Sequence, residues 1–204
     1  LLTSGATGTN QAAIRGAIDY TTTYSETNGE AVANNQRATG NFDVFLSNRL
    51  YARPVSLEYY RDEFQGIESR TTAAAGFGYE FFDTASFEWD VTAGVGWQWT
   101  EFLGAQADGS DSENDGTAIA RTQLQWEITT DVEFEFDYQI QAAFGGGGDV
   151  NHNLRSTLSV ELFGELDLDV GIQFDRIGKP VPLQDGTLTN RDDVRLLIGL
   201  GFDF

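Results

Sequence analysis

The chain has 204 residues, no Cys, and 32 acidic against 12 basic side chains, for a formal net charge of -20. That balance argues against nucleic acid or an anionic surface as a general partner, because both need clustered Lys and Arg. Without Cys, disulfide frameworks and thiolate metal sites are excluded. The 13% aromatic content argues against disorder. No apolar run approaches the roughly 18 residues of a membrane helix, so the one form left that could cross a bilayer is a closed β-barrel.

Side chains alternate with a period of two along nearly the whole sequence, the signature of strands. Ten strands are predicted, at about 12–24, 32–47, 50–61, 66–82, 85–101, 117–129, 132–145, 153–164, 166–177 and 192–204. Residues 1–11 form an N-terminal segment, and 12–204 an all-β, up-and-down antiparallel transmembrane barrel of about ten strands, with twelve as the alternative count. The third strand, in RLYARPVSLEYY, fits least well. Tyr51, Val55, Leu57 and Tyr59 share a face with Arg53, so either Arg53 snorkels or the strand is bulged, and Pro54, which lacks a ladder donor, points to the same irregularity. In SFEWDVTAGVGWQW, Phe87, Trp89, Val91, Val95, Trp97 and Trp99 oppose Glu88, Asp90, Gly94 and Gly96. In DVEFEFDYQIQAAF and LDLDVGIQF one face is again apolar, and the other carries Glu133, Glu135 and Asp137, or Asp167 and Asp169. The last strand sets Val194, Leu196, Ile198, Leu200, Phe202 and Phe204 against Arg195 and Asp203, with its seam expected against the first strand near residues 12–24.

The connectors are expected to alternate short and long. LSNR, FDTA, TTDV and GELD are short; SETNGEAVAN, RDEFQG, GAQADGSDSENDG, GGGGDVNHN and KPVPLQDGTLTN are longer. Short turns on one rim and long polar loops on the other are the plan of a bacterial outer-membrane barrel. A lipocalin-like soluble barrel would turn the apolar face inward. The membrane arrangement is favoured by unbroken apolar stripes that end in an aromatic belt, Trp89 and Trp126 towards the short turns and Trp97 and Trp99 towards the long loops.

With that orientation, each strand descending from the long loops carries one inward arginine: Arg37, Arg70, Arg121, Arg155 and Arg195. Inward carboxylates start the ascending strands: Glu88 and Asp90, Glu133 and Asp137, Asp167 and Asp169. The expectation is an arginine level in the outer half of the lumen above a more acidic inner half. Such a ring could select small solutes by charge. Pairing and plugging is the favoured alternative, because unpaired buried charge is costly. His152, the only histidine, would be needed by a hydrolase at the mouth, but a lone loop histidine is more often solvated surface. Asp111, Glu113, Asp115 and Gly116 sit where half a calcium loop would need them, yet Thr122 stands where its closing Glu belongs. The GGGG at 145–148 lacks the Lys-Ser/Thr of a phosphate loop.

The stretch YYRDEFQGIESRTTAAAGFGYEFFDT, followed by FEWDVTAGVGWQWTEF and the closing GLGFDF, resembles the salt-induced outer-membrane protein family, a domain of unknown function. The similarity covers roughly residues 30–204. It implies a Gram-negative outer-membrane barrel in contact with outer-membrane lipid and lipopolysaccharide, with Phe204 as the residue recognised by barrel-assembly machinery. It implies no enzymatic reaction, catalytic residue, cofactor or metal. The function expected is structural or interactive at the envelope, with a small-solute pore second and a soluble ligand-binding barrel third.

Overall fold

A computed structural model describes residues 14–27, 30–104, 110–145, 150–163, 166–178 and 190–202. The predicted segment 1–11 and Phe204 lie outside the described residues. The described chain is all-β. Ten strands run β1 (Ile14–Thr27), β2 (Glu30–Phe45), β3 (Leu50–Asp62), β4 (Ile67–Asp83), β5 (Phe87–Phe102), β6 (Ser112–Thr129), β7 (Val132–Ala143), β8 (Val150–Phe163), β9 (Leu166–Arg176) and β10 (Asp192–Phe202). Each is antiparallel to the next in one curled sheet, in strict sequence order. The alternation that predicted the strands is what fixes their register, because neighbouring strands bond edge to edge and their apolar side chains must fall on the same side of the sheet.

The sheet is polar inside and apolar outside. On its concave side Asn35, Asp43, Arg53, Asp62, Arg70, Thr72, Gln98, Thr117, Gln141, Gln173 and Asp175 are buried, whereas Ile18, Phe77, Val95, Trp97, Trp126, Ile172, Leu196 and Ile198 stand exposed on the convex side. A lipocalin-like barrel requires the opposite arrangement. Small residues allow the tight curl. A Cβ on Gly76 would fall 2.2 Å from the Ala93 carbonyl oxygen, and one on Gly78 would fall 2.1 Å from the ring of Tyr51.

Three expectations are resolved. First, of the two readings offered for β3 the bulge holds: the ladder shifts register between Arg53 and Ser56 around Pro54, and again between Phe42 and Val44 on the neighbouring strand. Counting by two through this bulge mis-assigns the faces. Tyr51 and Arg53 are concave and buried, while Val55, Leu57 and Tyr59 remain convex. Second, the connectors do not all alternate in length. SETNGEAVAN is almost wholly absorbed into β1 and β2, which end and begin at Thr27 and Glu30, and RDEFQG contracts to a turn at 63–66. Only 103–111, 144–149 and 177–191 are longer than the turns of the opposite rim. Third, no ladder joins β1 to β10 among the described residues. The ends of the sheet are bridged from the concave side by Arg155 Nη2, which donates to Thr21 Oγ1 at 3.1 Å, and by Arg195, 3.7 Å from Asp62. Bridges of arginine length hold strands further apart than the roughly 4.8 Å of a ladder.

Candidate functional site

The polar concave face forms the candidate site, and it has two levels. At the rim of the longer connectors, the 63–66 turn folds over the mouth. Asp62 Oδ1 accepts from the backbone N–H groups of Phe64 and Gln65 at 2.9 and 3.1 Å, and Gly66 takes φ 70°, a conformation that favours glycine. Tyr60, Ile67 and Ile177 pack into a small buried cluster there, and Tyr60 Oη donates to Gln65 Oε1 at 2.8 Å.

Below that cap, side chains from non-adjacent strands meet. Arg37 on β2 donates to Glu58 on β3 and to Asp175 on β9, both at 3.2 Å, and its guanidinium lies 4.6 Å from the Tyr60 ring centroid. On β7, Gln139 Nε2 donates to Glu58 at 3.4 Å, and Gln141 Nε2 donates to Gln98 of β5 at 2.5 Å and to Thr72 of β4 at 3.3 Å. Asp175 also accepts from Asn153 at 2.6 Å and Gln173 at 2.8 Å. Arg195 of β10 contacts Asp193 and Asp62, and Asn35 accepts from its Nη2 at 2.7 Å. Each carboxylate is held by charge-assisted bonds, the arrangement that allows charge to be buried.

The second level, towards the short turns, encloses a cavity of about 430 Å³. Its wall includes Arg15, Arg53, Arg121 and Arg155 together with Asp43, Glu80, Glu88, Asp90, Glu135 and Asp137. Asp43, 1% exposed, is the hub. Arg53 donates to both of its oxygens, at 2.6 and 2.9 Å, and Arg15 Nε donates to Oδ2 at 3.1 Å. Arg15 also reaches Glu80 at 2.7 Å and lies over the rings of Phe45 and Tyr51, 5.1 and 4.8 Å from their centroids. The hydroxyl of Tyr51 donates to Asp90. Arg121 Nε grips both oxygens of Asp137 at 2.9 and 3.0 Å.

The five arginines named from sequence therefore do not share one level. Arg70 and Arg195 belong to the outer level and Arg121 and Arg155 line the larger cavity, while Arg37 stands between the two and lines both the small outer cavity and the larger one. Asp90 and Asp137 are bridged to tyrosine or arginine, Glu88 faces the cavity, and Glu133 accepts from Gln125 Nε2 at 2.5 Å. Asp167 and Asp169 lie opposite Gly201 and Gly199 of β10, which leave them room. Sequence reasoning missed Arg15, and for Arg53 it left open the bulge that the structure adopts. Arg15 could have been found by the same alternation, because it opposes Ile14 and Ile18. The Trp side chains follow the convex face of the alternation: Trp97 and Trp99 towards the longer connectors, and Trp89 and Trp126 within a run of aromatics in which Trp89 stacks on Phe81 and Phe82 while Phe87 meets Phe82 and Trp126 edge to face. The half calcium loop is mostly strand, since β6 begins at Ser112, so its carboxylates are strung along an extended chain and do not wrap a common centre.

A curled meander of ten antiparallel strands, polar within and apolar without, defines a porin-like β-barrel class. The chain is similar in fold to the NanC porin, with a TM-score of 0.53 at 10% identity over 94% of this chain and 98% of that one. It belongs to the family described as protein of unknown function, DUF481, whose pattern matches residues 3–204. No curated protein matches it.

Proposed function

We propose that this protein is an outer-membrane barrel of a Gram-negative bacterium whose lumen is closed by its own paired charges, and that it serves the envelope as a structural or interaction element. The bilayer supplies what the convex face needs: apolar contact at mid-depth and interfacial water for the two tryptophan bands. The observation that carries the closed lumen is Arg37, pinned between Glu58 on one wall and Asp175 on the other. Three bonds crossing from β7 to β3, β4 and β5 thicken the same layer. An ion needing its own hydration shell would have to break several charge-assisted bonds to pass. No reaction is proposed. The alternation of β8 puts His152 on its convex side, where Nδ1 lies 2.8 Å from Tyr138 Oη.

The second reading, a small-solute pore, draws on the cavity of about 430 Å³ beneath the plug, a vestibule of the size small molecules use. Planar-bilayer recording separates the two. The closed lumen predicts little or no steady conductance from the natural chain, and a clear rise for Arg37→Gln combined with Gln141→Ala. Stable channels in the natural chain that shrink on these substitutions would refute it.

A further inference from the structure

At the rim of the longer connectors a second cavity, of about 380 Å³, opens to the outside between Val150, His152, Phe174, Arg176, Gly178 and Arg191. In a chain with only 12 basic residues and a net charge of -20, two arginines and the sole histidine converge here. His152 and Arg176 are register partners on β8 and β9. The alternation that puts them on the convex face stacks Phe174, Ile172 and Val170 beneath Arg176, and Leu154 and Leu158 beneath His152; Ile172, Val170 and Leu158 are exposed. An apolar column thus climbs two strands and ends under cations. Arg191 is positioned by bonds from Nη2 to the Gly178 carbonyl at 2.5 Å and from Nε to the Ile177 carbonyl at 3.4 Å, and the Gly178 N–H is tied to Asn151 Oδ1 at 3.3 Å. Arg176 has an acidic neighbour, Asp192, at 3.5 Å, with both side chains more than two-fifths exposed, a pair that a more highly charged anion can displace.

We propose that this groove binds the phosphate-bearing headgroup of an outer-leaflet lipid, with its acyl chains along Phe174, Ile172, Val170 and Leu158. Arginine is suited to phosphate because its planar fork donates two parallel bonds, and the depth of the site, just beyond the apolar band, is where such headgroups lie. The proposal rests on the outer-membrane placement above.

The test uses the full chain folded into detergent micelles and analysed by native mass spectrometry with diphosphorylated lipid A, alongside the same lipid A with its phosphates removed. The natural chain is expected to retain the phosphorylated form. Arg176→Gln with Arg191→Gln should weaken retention about tenfold or more, as should removal of the phosphates. Arg61→Gln, which breaks an exposed pair with Glu63, should leave retention unchanged. Equal retention by the double variant or of the dephosphorylated lipid overturns the proposal, as does full displacement by millimolar inorganic phosphate, which would make the site one for a free ion. A chain that fails to insert into vesicles at all sinks the membrane placement and this proposal together; one that inserts but ignores lipid A sinks this proposal alone.

Discussion

Replacing Asp43 with Ala tests whether paired charge holds the inner lumen together. The carboxylate is 1% exposed and carries the bidentate bond from Arg53, whose side chain is 11% exposed, as well as the bond from Arg15. Removing it leaves Arg53 as a buried cation without its partner, a loss of about 3–5 kcal/mol. Arg15 adds little, at most about 1 kcal/mol, because a third of its side chain meets solvent and it keeps Glu80 at 2.7 Å. Asp43→Asn, which retains an acceptor but not the charge, should cost roughly half as much. Asp43→Ala combined with Arg53→Met should recover most of the loss, since an apolar pair no longer strands a cation. Urea unfolding from lipid vesicles, followed by tryptophan fluorescence, gives these differences as midpoint shifts at constant slope. A single variant costing under about 1 kcal/mol, or a double variant no more stable than the single one, would refute the claim that this pair is structurally required.

Gly78→Ala should displace the fully buried Tyr51 ring, 2.1 Å from where the new methyl would sit, and break its bond to Asp90; about 1–3 kcal/mol of stability should be lost, with Tyr51→Leu in the same chain restoring part of it. Depth-dependent quenching by brominated lipids should find Trp97 and Trp99 in one shallow band and Trp89 and Trp126 in another; quenching strongest from the bilayer centre would contradict the convex-face assignment. Arg121→Ala should destabilise the barrel by more than Arg61→Ala does, because Arg121 is held in the wall by Asp137 whereas the Arg61 pair is about two-fifths exposed; equal unfolding midpoints for the two variants would argue against it.

Strand existence and facing were legible because each strand has two unlike environments, and a period of two is the only way a pleated chain can serve both. Counting by two fails at Pro54, where the irregularity that Arg53 and Pro54 signal reverses the parity of everything beyond it: simple alternation groups Tyr51 with Val55 and Leu57, although Tyr51 is buried at the centre of the inner network. Connector lengths were misjudged for a different reason: SETNGEAVAN is polar enough for a loop but also alternates well enough to extend two strands, and local chemistry does not choose between the two. The charged lumen was foreseen as a population of residues. Its wiring was not, because Arg37 and Asp175 are brought together by curvature of the whole sheet, and no spacing in the sequence encodes that meeting.

That last pair has a consequence for how the chain assembles. Every ladder joins consecutive strands, so pairing can proceed locally and quickly along the chain. The bonds that cross the lumen cannot: Arg37 and Asp175 are separated by 138 positions, and Arg155 and Thr21 by 134. They must wait until β8 and β9 have arrived, so they form late and act as a latch that closes only on a complete molecule. A nascent barrel stalled before β9 would hold Arg37 without Asp175, and its lumen would stay loose and hydrated until the missing carboxylate was delivered.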